Sequence, residues 1–298
     1  MRSLILLVVF SLISVNGFCA EEADQNIVDF NLSGFGKKGE KTWEIKAKSA
    51  DIFTDEVRLN DIQALIYSKD QDLTLTADRG SYIKSKGAMH VESNVVATTA
   101  DGAKMTTDSL DWSEKAQKMT APDFVKVERN NLLTTATGME AKPSLKNIEF
   151  KKDVTVQILP ESSPKTDNQQ DNQDNKDKKP TIITCDGPLE IDYEKNIATF
   201  YENVKVDNDQ MNLFSDKMDV YFVSGAKSGQ ETSLSNSLNQ SNIKKIVARG
   251  NVRIVQGENQ TFSEEAVYTT DDKKVVLTGR PKLIIYSTEG FKDAIIGN

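Results

Sequence analysis

An all-β fold, stacked along one axis from repeated strand-turn-strand units, is predicted by three features of this 298-residue chain. The first is a short corner, a small polar residue followed by an apolar one. It recurs at Asn94-Val95, Asp123-Phe124, Asp153-Val154, Asn203-Val204 and Asn251-Val252, with a weaker copy at Arg280-Pro281. The second is an aromatic residue placed to end the strand before the corner: Tyr82, Trp112, Tyr193, Tyr221 and Tyr268. The third is the strand period itself. Apolar and polar residues alternate through the chain after residue 24, and almost no segment sustains a 3.6-residue period.

The corners are 29, 30, 50, 48 and 29 residues apart, and a period of this length counts one supersecondary unit. From aromatic to corner the distances are 12, 11, 10, 30 and 12 residues. Both long corner intervals have the same explanation. Pro160 to Pro180 and Ser224 to Asn242 are polar, low-complexity stretches that insert into an otherwise regular array.

Taken in order, the predicted strands cover Phe30 to Ser33, Thr42 to Ala47, Ile62 to Tyr67, Leu73 to Ala77, Met89 to Val91, Phe124 to Glu128 and Val154 to Leu159. They continue with Leu189 to Tyr193, Met218 to Val223, Ile246 to Ile254 and Val275 to Tyr286. Charged groups of hairpin size separate them, such as Ser113-Glu114-Lys115 and Asp271-Asp272-Lys273. Half a repeat, about fourteen residues, is therefore one strand plus one connection.

Alternation places successive side chains on opposite faces. Leu73/Leu75, Ile148/Phe150, Val154/Val156/Ile158, Val204/Val206, Ile246/Ala248, Val252/Ile254 and Leu283/Ile285 then share one side, and lysines, threonines and aspartates take the other. Such a stack encloses an apolar trough one side chain deep, either packed shut or open along a seam.

Domain organisation follows from composition. Residues 1–20 read as a secretory signal, with Arg2 as a minimal basic region and Leu4 to Val15 as the apolar stretch. Leu4 to Ala20 also reaches the lower edge of a membrane-spanning length, so an uncleaved anchor is the alternative. The polar linker 160–180 cannot bury enough apolar surface to order itself. It separates a module at 24–159 from one at 181–298, which itself carries a disordered insertion at 224–242. Residues 290–298 look like a unit with no returning strand, an open edge for another protein to pair with.

Charge and composition exclude some functions. Without residues 1–20 the chain carries 36 basic against 45 acidic residues, a net charge of −9, the wrong sign for a nucleic-acid partner. Cleavage would leave Cys185 as the remaining cysteine, so no intrachain disulfide is expected. Gly34-Phe35-Gly36-Lys37-Lys38-Gly39 matches a dinucleotide-binding pattern, but Thr42 to Ala47 after it alternates like a strand, and a glycine-rich hairpin is the better reading. His90 has no second histidine to complete a metal site, and no G-x-S-x-G motif supplies a nucleophile. Cys185 lies on a strand as a small buried hydrophobe. No catalytic set, metal site or cofactor is expected.

Leu73 to Trp112 (LTLTADRGSYIKSKGAMHVESNVVATTADGAKMTTDSLDW) and Lys118 to Phe150 resemble the LptC family of periplasmic lipopolysaccharide-transport proteins. Ile246 to Ile285, with its Gly250-Asn251-Val252 corner and Leu277-Thr278-Gly279-Arg280-Pro281 ending, is similar to the related LptA/OstA repeat. The resemblance implies a twisted antiparallel β-jellyroll folded like a taco, whose apolar interior accepts the acyl chains of lipopolysaccharide. It also implies partners: other Lpt-type jellyrolls joined edge to edge, and an inner-membrane ABC transporter complex that supplies the energy. The expected protein is thus a non-enzymatic periplasmic bridge component with Val154, Val156, Ile158, Val204, Val206, Ile246, Ala248, Val252, Ile254, Leu283 and Ile285 facing the trough. The alternatives are a β-solenoid scaffold with a closed, dry core and a polysaccharide-acting enzyme built on a parallel right-handed β-helix.

Overall fold

The structure is a computed structural model that describes residues 23–67, 72–100, 102–129, 131–142, 147–159, 179–223 and 243–286. The expected signal segment 1–20, nearly all of the linker 160–180, the insertion 224–242 and the terminal segment 290–298 lie outside the described residues.

Seventeen strands form the described chain. They are β1 (Gln25–Phe35), β2 (Lys41–Ile52), β3 (Glu56–Ile66), β4 (Leu73–Ile83), β5 (Ala88–Thr99), β6 (Lys104–Ser113), β7 (Lys118–Arg129), β8 (Leu132–Ala141) and β9 (Asn147–Ile158), followed by β10 (Thr181–Cys185), β11 (Leu189–Asp192), β12 (Ile197–Asp207), β13 (Asn212–Phe222), β14 (Ile243–Gln256), β15 (Asn259–Thr269), β16 (Lys274–Thr278) and β17 (Lys282–Ile284). Each long strand pairs antiparallel with the next, in one continuous meander. The short pairs β10/β11 and β16/β17 each act as one interrupted strand: β10 and β11 both pair with β9 and β12, and β16 and β17 both pair with β15. Antiparallel pairing throughout rules out the parallel β-helix. The same sheet runs past the linker, since Val154 faces Cys185 and Phe150 faces Leu189.

The corners lie inside strands, not between them, and this corrects the short strands expected on either side. Asn94, Asp153, Asn203, Asn251 and Arg280 all have a left-handed backbone, with φ from 47° to 57°. Asn and Asp tolerate that region because their short polar side chains bond locally. At the corner the bulged strand uses four residues where its partner uses three: Phe200 and Val204 face Met218 and Ser215, and Ala248 and Val252 face Ala266 and Ser263. These are β-bulges, which bend the strand that carries them. The corner side chains clamp the bend to the preceding strand: Asn94 donates to Asp78 (2.6 Å), Asn203 to Asp186 (2.6 Å) and Asn251 to Asp216 (2.9 Å).

Two members of the row were invisible to a search for Val. Asp29 and Asp61 share the same backbone geometry and are followed by Phe30 and Ile62. The Asp123 copy shifts by one residue: Phe124 is exposed, Val125 is the buried residue, and Pro122 begins the bulge. The aromatic marker shifts too on β13, where Tyr221 turns outward under Lys245 and Phe222 takes the inward place.

A line of bulges across the sheet is a crease, and the crease folds the sheet into two facing arms. Trp43 on β2 lies in line with Leu73 through Ile66, while Tyr82 is nine residues further along β4. In a flat sheet their Cα atoms would be about 30 Å apart. Their ring centroids are 6.0 Å apart. Inward residues of both arms, among them Leu59, Val91, Leu110, Phe150, Leu189, Phe200 and Met218, form the core.

Candidate functional site

The inward row next to the crease can be followed strand by strand in the second half of the chain: Phe150, Leu189, Phe200, Met218, Ala248, Ala266 and Leu277. The first four are large and buried. Ala248 and Ala266 then remove volume from two adjacent strands, and a cavity of about 500 Å³ opens between the arms. Its walls come from both arms, Val206 and Ile254 on one side and Val220 and Ile246 on the other. No charged side chain lines it; its polar groups are those of Thr181, Asn208, Gln210, Gln256, Tyr268 and Thr270. Val275 also lines it and is 53% exposed, so the cavity reaches the free edge formed by β16. An uncharged, apolar slot of this kind can hold hydrocarbon and offers no group for acid–base or nucleophilic chemistry.

Of the eleven residues expected in the trough, Val156, Ile158, Val206, Ile246, Ala248 and Ile254 line this cavity. Val154, Val204 and Val252 face the same side but sit at the corners, each 1% exposed, and pack the crease. Leu283 is in register with Thr261 and Ile254 on the inward face, and Leu283 and Ile285 are both 49% exposed beside the sheet edge. Phe200, Leu213, Met218, Val220 and Ala266 belong to the walls and were not singled out from sequence. The alternation of Ala198 with Phe200 and of Met218 with Val220 carried the signal for three of them.

The other singled-out groups have structural places. Gly34 to Gly39 close the β1–β2 hairpin, where Gly39 takes φ 80° and its N–H donates to the Gly36 carbonyl at 3.0 Å. His90 points outward and its Nδ1 lies 2.7 Å from Asp111. Among the described residues no cluster could hold a metal ion, and no helix is long and apolar enough to cross a membrane. Cys185 is 2% exposed, and burial pushes its thiol up to about 11. The native protein is therefore expected to resist alkylation at pH 8 and to react once unfolded. Because the folded thiol titrates above the unfolded one, its contribution to stability is full below about pH 9 and is lost as pH rises toward 11. Urea midpoints across that range, with Cys185→Ala as the reference, check the second expectation.

Compared with known proteins, the chain matches two family models: lipopolysaccharide-assembly, LptC-related, over residues 10–159, and LptA/(LptD N-terminal domain) LPS transport protein, over residues 183–295. Among solved structures it is similar to LptH, the LptA homologous periplasmic component of the lipopolysaccharide transport device from Pseudomonas aeruginosa, at 11% identity over 74% of this chain and 98% of that one, with a TM-score of 0.20. No curated protein matches. The first family model spans half of the 298 residues, the second begins where the sheet resumes after the linker, and together they cover nearly the whole creased sheet: the chain belongs to the LptC-related lipopolysaccharide-assembly family.

Proposed function

We infer that this protein is a non-enzymatic carrier in the periplasmic bridge that moves lipopolysaccharide from the inner to the outer membrane. The observation that carries the reading is the uncharged apolar cavity between the arms, which reaches the free edge of the sheet. Acyl chains held there are shielded from water, worth about 0.8 kcal/mol per buried methylene, while sugars and phosphates stay solvated outside. The protein does no chemistry on its cargo, and the driving energy comes from an inner-membrane ABC transporter complex.

Both ends of the meander suit a bridge. β1 is unpaired on its outer side and exposes Val28 and Phe35; β16 and β17 expose Val275, Val276 and Leu283. Unpaired strands with apolar side chains are templates for another chain. Other Lpt-type jellyrolls would pair there, and the trough would pass from one protein to the next. An N-terminal signal or anchor would hold the chain in the periplasm.

A photo-crosslinking amino acid placed at Val206 or Ile254 in cells tests the reading. Crosslinks to lipopolysaccharide are expected. A correctly folded protein that gives none at either position overturns it, and favours the closed scaffold.

A further inference from the structure

We propose that Ala248 and Ala266 are specificity-determining residues that reserve a single-file slot, in the second half of the sheet, for one unbranched acyl chain lying across the strands. This rests on the carrier reading above and says where on the protein the chain lies and what shape it must have.

The argument begins with size along one row. Large side chains fill the inward positions beside the crease from Phe150 to Met218, and the next two strands carry alanine in direct cross-strand register. Both alanines line the cavity, and both are nearly inaccessible to water, at 1% and 5% exposure. A buried small residue usually has a larger neighbour packed over it, because protein interiors tolerate few voids. That is the case at the equivalent small position in the first half. A Cβ added to Gly80 would lie 2.7 Å from the Ile62 side chain, so Ile62 already occupies the space. There the arms also meet through Trp43 and Tyr82. Over Ala248 and Ala266 the space is kept.

The shape of that space identifies the ligand. Its lining residues come from β9, β10, β12, β13, β14, β15 and β16, six inter-strand steps or about 29 Å. A volume of about 500 Å³ spread over that length leaves a bore about 4.6 Å wide, close to the roughly 4 Å contact diameter of one methylene chain. A ring or a methyl-branched chain does not fit such a bore without spreading the arms. With no charge on the wall, the ligand's polar end must stay outside, at the Val275 edge or beside Asn208 and Gln210.

The test uses Ala248→Phe and Ala266→Leu in the full-length mature chain, with Ala266→Val as the milder version if the larger side chains prevent folding. Calorimetric titration with dodecanoate and crosslinking to lipopolysaccharide from Ile254 are read beside thermal midpoints. Wild type is expected to prefer dodecanoate to a methyl-branched chain of equal length by about tenfold or more. The variants are expected to lose dodecanoate binding by a similar factor and to lose the crosslink, with thermal midpoints unchanged or raised, because the added side chain fills a void. Folded variants that bind and crosslink as wild type does overturn the slot while leaving the carrier reading intact. A wild type that binds dodecanoate and lipopolysaccharide nowhere overturns the carrier reading itself.

Discussion

Phe200→Ala is expected to destabilise the protein by about 3–5 kcal/mol, the usual cost of deleting a buried aromatic ring. Phe200 is 2% exposed and stands in register between Leu189 and Met218. Rigid strand pairing on both sides prevents the arms from closing over the loss, so the upper part of that range applies. The cavity already borders Phe200, and truncation extends it along the row toward Leu189. Urea unfolding of the variant measures the cost, and Phe200→Leu should recover most of it. A loss below about 1 kcal/mol would mean that the row next to the crease is not packed as described.

Arg249→Leu carries the second large effect, on the opposite face. Asp219 points outward from β13 and yet is 5% exposed. It accepts a hydrogen bond from Thr199 at 3.0 Å and pairs with Arg249, which also donates to Glu265 at 2.9 Å. Removing the guanidinium leaves a buried carboxylate whose remaining cation is Lys217 at 3.8 Å. Breaking a buried pair commonly costs about 3–5 kcal/mol; Thr199 and Lys217 remain, and Arg249 is itself part-exposed, so about 2–3 kcal/mol is expected here. The double variant Arg249→Leu/Asp219→Leu should regain much of the loss, since no charge is then stranded. A single variant within 0.5 kcal/mol of wild type, by the same unfolding measurement, would show that Asp219 is solvated and needs no partner.

These expectations draw unequally on sequence and structure. The hairpin period was readable because each strand and its turn are local, so charged turns mark the strand ends directly. Strand starts at Leu73, Ala88, Lys104, Lys118, Leu132 and Asn147 keep the half-repeat near fourteen residues. The corners were visible as a motif but not as bulges. A residue that inserts into a strand and one that ends a strand both favour Asn or Asp, and only the partner strand, three residues against four, tells them apart. For the same reason Asp29 and Asp61 escaped notice, since their apolar followers are Phe and Ile.

The trough residues show the same limit. Alternation put Val206, Ile246, Ala248 and Ile254 on one face correctly, because which face a strand residue takes is set two residues away. It could not separate them from Val204 and Val252, which face the same way but fill the crease. Local sequence alone determined that this chain is all-β, that its units repeat, and that one face of each strand is apolar. Whether that apolar face became a sealed core or an open slot was decided by tertiary structure: the crease brings residues far apart along the strands to within contact, and only then does it matter that Ile62 covers Gly80 while the space over Ala248 and Ala266 is left open.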